Sequence, residues 1–279
     1  MKNIFSQNIK TKEFNNAQFV IRKADQSLIE QNEEIAKEAL ELKKKKLPPA
    51  WLVRVALVLT MLAFYMIIAF LTREEGFLKA LEKVGFLFYI AAAIFILSII
   101  FIIFYVVKVR NINQDEEVKE LKVKADNQIR QMLFELEVPD TSIQVDVLAS
   151  YFKINKRGEE VQYTYFGGNF ININMSLFIE DNNLCFSNLH SVIAIPLSDL
   201  KEATKIKRRI IIPNRNKDVR FNDEKYKKYK IYREKSTYSC LNYYEIRFVH
   251  NDEEFFFALP SYDFDEFFKI INNEIPVIG

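Results

Sequence analysis

GFLFYIAAAIFILSIIFIIFYVV, residues 85–107, runs without a single charged side chain. Coiled as a helix at about 1.5 Å per residue, it is long enough to cross the roughly 30 Å hydrocarbon layer of a bilayer. About sixteen of its residues are Leu, Ile, Phe or Val. At roughly 0.3–0.6 kcal/mol each, they favour insertion by on the order of 5–10 kcal/mol. A second run, WLVRVALVLTMLAFYMIIAFL at residues 51–71, has the same character. Its one charge, Arg54, lies a turn from the start, where a long side chain reaches back to the headgroups. Trp51 behind Pro48-Pro49 fits an interfacial helix start.

The flanks orient the pair. Lys43, Lys44, Lys45 and Lys46 precede the first run, and Lys108 and Arg110 follow the second. The short connection mixes Arg73, Lys79 and Lys83 with Glu74, Glu75 and Glu82. The positive-inside bias then predicts a multi-pass cell-membrane protein with both termini cytoplasmic. The polar first 45 or so residues lack the apolar core of a cleaved leader. The expected segments are an N-terminal cytoplasmic amphipathic helix at 1–49, spans at 50–72 and 84–108, an extracytoplasmic loop at 73–83, a cytoplasmic helix at 109–138 and a β domain with a C-terminal helix at 139–279.

Ala17, Ile21, Ala24, Leu28, Ile35, Ala39 and Leu42 recur near helical spacing from Phe14 onward. Val118, Leu121, Ala125, Met132 and Leu136 repeat the pattern after the second span. Gln31 and Gln128 interrupt the two stripes. The two helices are expected to pair antiparallel, with coiled-coil oligomerisation or surface binding as the alternatives.

Past Val138-Pro139 the apolar period shortens to two. Ile171, Ile173, Met175, Leu177 and Ile179 alternate with more polar neighbours, and Asp181-Asn182-Asn183 supplies a turn into a returning strand. Strands are expected again at Val192–Leu197 and Ile210–Ile212, and as a hairpin about Asn251-Asp252. In the closing segment Asp263 and Glu266 have capping-box spacing. Phe264, Phe267, Phe268 and Ile271 lie on one helical face. The fold class expected is therefore α+β: a transmembrane hairpin with flanking helices, then an antiparallel sheet capped by a C-terminal helix.

LCFSN at Leu184–Asn188, IPLSDL at Ile195–Leu200 and FFFALPSYDFDEFFKII at Phe255–Ile271 resemble the bacterial pleckstrin-homology-like (PH-like) domains joined to paired membrane spans. The likeness covers roughly residues 140–275. It implies a small antiparallel barrel closed by the terminal helix, and a binding or scaffolding role without catalytic residues. High Lys, Asn, Ile and Phe usage agrees with an AT-rich bacterial source.

The basic insertion at 205–235 is longer than a usual loop of that family. It carries thirteen Lys and Arg against Asp218, Asp223, Glu224 and Glu234. Lys205, Lys207, Arg208, Arg209, Lys225, Lys227, Lys228 and Lys230 are the candidate patch, for anionic lipid headgroups or for an acidic protein partner. Interleaved Phe221, Tyr226, Tyr229 and Tyr232 raise base stacking, but a membrane tether speaks against nucleic acid.

Net charge is only +2, and neither Cys185 and Cys240 nor His190 and His250 have metal-ligand spacing. No nucleotide-binding or hydrolase signature occurs, so no enzyme, cofactor or metal is expected. The function expected is a membrane-anchored binding module at the inner leaflet. The alternative is an accessory subunit of a transporter or envelope complex, or a homo-oligomer.

Overall fold

The computed structural model describes every residue except 12, 74–85, 164–169, 214–225, 227, 230, 235, 236 and 273. It divides into two compact units. One is helical, Glu30–Ile129; the other joins Met1–Ile29 to Arg130–Gly279 and contains the sheets.

The helices are α1 (Gln26–Lys46), α2 (Ala50–Arg73), α3 (Phe86–Asn111), α4 (Glu116–Glu135) and α5 (Ser261–Ile270). The break between α1 and α2 falls at Pro48-Pro49, where the ring removes a donor and disfavours helix in the preceding residue. α2 and α3 lie side by side. The Phe64 and Phe95 rings stack at 5.9 Å, and Ala56, Ala63, Ala91 and Ser98 are buried. Such small side chains let two backbones approach closely. Most of the remaining surface is apolar and exposed: Met61 is 72% accessible, Leu97 66% and Phe86 77%. Both helices are long and apolar enough to cross a membrane. The expected loop at 73–83 lies, beyond Arg73, outside the described residues.

α1 and α4 run antiparallel. Lys46 bonds Asp115 and reaches Glu117 at 2.8 Å, Lys124 approaches Glu38 at 3.6 Å, and Gln128 Nε2 donates to Gln31 Oε1 at 3.3 Å. The two glutamines that interrupt the apolar stripes thus meet each other. Ile35 and Val118 are buried.

The strands are β1 (Lys2–Asn3), β2 (Gln7–Asn8), β3 (Val20–Lys23), β4 (Ile143–Ala149), β5 (Tyr151–Ile154), β6 (Glu160–Tyr163), β7 (Ile171–Glu180), β8 (Asn183–Ser187), β9 (Ser191–Pro196), β10 (Leu200–Ile206), β11 (Ile210–Pro213), β12 (Tyr232–Glu234), β13 (Thr237–Cys240), β14 (Tyr243–His250), β15 (Glu253–Pro260) and β16 (Val277–Ile278). Ten form one largely antiparallel sheet in the order β16-β10-β14-β15-β4-β7-β8-β9-β3, with β1 beside β15. Two three-stranded sheets, β11-β13-β12 and β2-β5-β6, flank it. Asp181 and Asn182, and likewise Asn251 and Asp252, hold positive φ in the β7–β8 and β14–β15 turns. Short polar side chains tolerate that conformation, and its twist matches the flanking strands.

Three expectations need correction. The sheet is not closed into a barrel: its ends are taken by β16 on β10 and by β3 on β9, which do not pair with each other. Nor is the segment 1–49 one amphipathic helix. Residues 1–25 enter the β unit, where Phe5 packs edge-on against Phe186 at 5.2 Å and Phe19 against Phe255 at 5.2 Å. Helical spacing from Ala17 misled because Ile21 points outward from β3 while Ala24 turns inward. α1 starts only at Gln26, behind Asp25, whose Oδ1 accepts the Ser27 N–H at 2.7 Å. Third, Asp263 does not cap α5. Its carboxylate accepts the Asp146 backbone N–H at 2.6 Å, and Glu266 pairs with Lys269.

Core lies on both faces of the large sheet. Val145, Leu177, Phe186, Phe248 and Phe257 form the main cluster, covered by Phe264, Phe267 and Ile271 of and just after α5. On the other face Phe178, Cys185, Val192 and Ala194 pack under Leu28, Ile29, Met132 and Leu136, from the β-unit ends of α1 and α4. Period-two alternation therefore fades in β7, where Met175 to Phe178 are all buried.

Candidate functional site

Lys207, Arg208 and Arg209 form an exposed turn that carries the chain from β10, in the large sheet, to β11, in a small one. Local folding holds it firmly. Ala203 on one side is in the main core, while Ile210 and Ile212 on the other are buried against Tyr238, Cys240 and Tyr226. The Arg208 N–H donates to the Ile206 carbonyl at 2.9 Å. Arg209 Nε donates to Ser239 Oγ at 3.0 Å, and its guanidinium lies 5.9 Å from the Tyr232 ring centre. Lys205, half-buried on β10, places its ammonium 5.9 Å from the Tyr244 ring centre. Four of the eight candidate residues thus occupy one short stretch, with three charges projecting outward.

Lys228 departs from that group. It bonds Asp265 of α5 at 2.7 Å and lies 4.6 Å from the Tyr229 ring centre, while the Tyr229 hydroxyl donates to the same carboxylate at 2.6 Å. The carboxylate beside it raises the ammonium pKa above its ordinary value, and Asp265 is held below its own despite partial burial. Lys228 is already neutralised locally. Lys225, Lys227 and Lys230, and with them Phe221, lie outside the described residues. Of the other aromatics, Tyr226 is buried edge-on against Tyr262 at 5.8 Å and Tyr229 is half-buried; Tyr232 faces outward.

Around the turn, Tyr243 donates to Glu245 at 3.2 Å. Burial pushes its pKa up to about 12, with Glu245 adding to the rise and the Arg208 charge opposing it. Both thiols are pushed up to about 11 by burial and stay neutral. Among the described residues no group of three or more His, Cys, Asp or Glu converges as a metal site.

Sequence reasoning overlooked several polar arrangements. His250 Nδ1 lies 2.7 Å from Asp199 Oδ2, with Phe19 packed against the ring; the partners are far apart in the chain and no spacing announces them. Asp146 and Asp263 are buried carboxylates. Tyr262 donates to Asp146 Oδ2 at 2.8 Å and lies 3.4 Å from the Tyr238 hydroxyl. Burial, reinforced by Asp146, holds the Tyr262 hydroxyl protonated well above its ordinary pKa. This cluster ties β4 to the start of α5 and is closed to solvent. Arg22 of β3 bonds Glu180 at 2.6 Å and Glu137 at 2.7 Å.

In the helical unit a cleft of about 490 Å³ lies where α1 ends and α3 passes into α4, lined by Lys45, Lys46, Lys108, Asn111, Ile112, Gln114 and Asp115. The lysine runs signalled its charge in the sequence. Their convergence depends on the antiparallel return of the chain. No known protein family, curated protein or solved structure matches this chain.

Proposed function

We propose that α2 and α3 cross a membrane as a hairpin with both chain termini on the cytoplasmic side, and that the β unit is a PH-like binding module without catalytic function. Lys205, Lys207, Arg208 and Arg209 would then meet the anionic headgroups of the inner leaflet, or an acidic protein held there. One observation supports the reading: side chains such as Met61 and Leu97 stand exposed around a helix pair flanked by Lys43–Lys46 at the end of α1 and by Lys108 and Arg110 at the end of α3, and Lys45, Lys46 and Lys108 line one cleft. Water would not tolerate that surface, whereas hydrocarbon would. A basic side chain near an anionic leaflet contributes about 1 kcal/mol, and a tether raises its effective concentration.

The test uses the full chain, because residues 1–25 complete the β unit. Reconstituted vesicles are washed with alkaline carbonate; release of the intact chain sinks the spanning reading. Hydrogen exchange at residues 205–209 is then compared in phosphatidylcholine and in mixed phosphatidylcholine–phosphatidylglycerol bilayers at low salt. Equal exchange rates in the two sink the lipid-docking role.

A further inference from the structure

We propose that the cleft lined by Lys45, Lys46, Lys108, Asn111, Gln114 and Asp115 is a binding site for the phosphate of one anionic phospholipid. This rests on the reading that α2 and α3 span a bilayer, and concerns the helical unit rather than the basic turn of the β unit.

Position comes first. Along α3 the exposed apolar surface continues through Phe104, Val106 and Val107, is interrupted by exposed Lys108 and Arg110 on either side of Val109, and gives way at Asn111. Trp51, 60% exposed, stands just beyond Pro48-Pro49 at the matching end of α2. The cleft therefore sits where a hydrocarbon-facing surface gives way to a polar one. A lipid seated there keeps its acyl chains against Phe104 and Val107 and its phosphate among the lysines.

Charge comes next. Lys46 is committed: it bonds Asp115 and Glu117, which raise its pKa and lower that of Asp115. That pair braces one wall of the cleft. Lys45 and Lys108 have no carboxylate partner among the described residues, and the Lys108 ammonium lies 5.7 Å from the Phe104 ring centre, held toward the apolar side. Two lysines thus face a cleft whose single carboxylate is already paired. Asn111 and Gln114 add amide donors for phosphate oxygens. The volume is ample for a phosphate and part of its glycerol. Lysine in the last turn also offsets helix-end carbonyls, but Lys43 and Lys44 already do so for α1, and Arg110 for α3.

The experiment uses the full chain in nanodiscs containing equal phosphatidylglycerol and phosphatidylcholine, released gently and weighed by native mass spectrometry. The wild type is expected to retain one phosphatidylglycerol in preference to phosphatidylcholine, unchanged by millimolar inorganic phosphate. Lys45→Gln with Lys108→Gln should lower that retention on the order of 30-fold, the product of two lysine contributions. Lys43→Gln with Lys44→Gln, equal in charge removed, should change it little. Equal loss in both pairs, or equal retention of the two lipids by incorporated wild-type protein, overturns the site and leaves the spanning reading standing. Displacement by inorganic phosphate overturns the lipid assignment. Failure of the wild type to enter nanodiscs overturns both.

Discussion

Phe5 and Leu97 are both large apolar side chains, yet the first is 1% exposed in the β unit and the second 66% exposed on α3. The same driving force stands behind both. In the β unit an apolar surface escapes water by folding onto itself, through two-sided cover of a ten-stranded sheet. In the α2–α3 pair, alanines, Ser98 and the Phe88 ring take the inside, and most of the bulk is turned outward. Burial therefore means stability in one region and helix contact alone in the other.

The contrast breaks most visibly at Phe5. Phe5→Ala removes a ring wedged between Phe186 and Phe257 and should destabilise the β unit by about 3–5 kcal/mol, read as a lowered denaturation midpoint of the full chain in detergent. Deleting residues 1–23 should go further and leave the β unit unfolded, read by loss of slow-exchanging amides in β9 and β15. An unchanged β unit after that deletion would refute the assignment of the N-terminal segment to its core.

A charge tests the other side. Met61→Arg puts a cation on the outward face near the middle of α2 and should raise the apparent cost of insertion by about 2.5–3.5 kcal/mol, measured as the inserted fraction in a translocation assay. Leu97→Ala, by contrast, leaves no cavity and should move the stability of the β unit by less than about 0.5 kcal/mol.

Thiol chemistry sharpens the comparison at smaller scale. Cys185 and Cys240 should resist iodoacetamide at neutral pH until the chain is denatured. A thiol whose folded pKa is raised stabilises fully below its unfolded value near 9 and progressively loses that contribution as pH rises toward about 11. The β unit should accordingly lose stability across that window, and a Cys185→Ser, Cys240→Ser variant should lose less. The smallest effect belongs to Lys46 and Asp115. Asp115 is held below its ordinary value and Lys46 above its own, so their attraction persists at neutral pH and fades as pH falls through the depressed carboxylate value or rises through the raised ammonium value. The distance between spin labels on α1 and α4 should lengthen at those two extremes and not between them.

Much of the fold was legible in the residues. Two long apolar runs, with Arg54 their only charge, can be accommodated in few ways, and Pro48-Pro49 marks where one helix must end. Asn251-Asp252 and Asp181-Asn182 announce hairpins because their side chains tolerate positive φ. The aromatic face of α5 was readable from spacing alone, and Phe264 lies flat against Tyr244 at 3.6 Å. The basic turn was legible in part: Lys207 to Arg209 are consecutive, but nothing nearby indicated that Lys228 is bound to Asp265.

Local chemistry thus determined what each segment had to become: two long apolar helices, hairpins with polar turns, a helix with one aromatic face. Tertiary structure decided which distant segments complete one another. Strands of two residues such as β1 carry no periodicity, so Phe5 shows its place only once β15 stands beside it. The Asp146–Asp263 contact and the lysine cleft arise in the same way, because pairing between remote residues is settled by the free energy of the whole packed chain and leaves no trace in the order of neighbours.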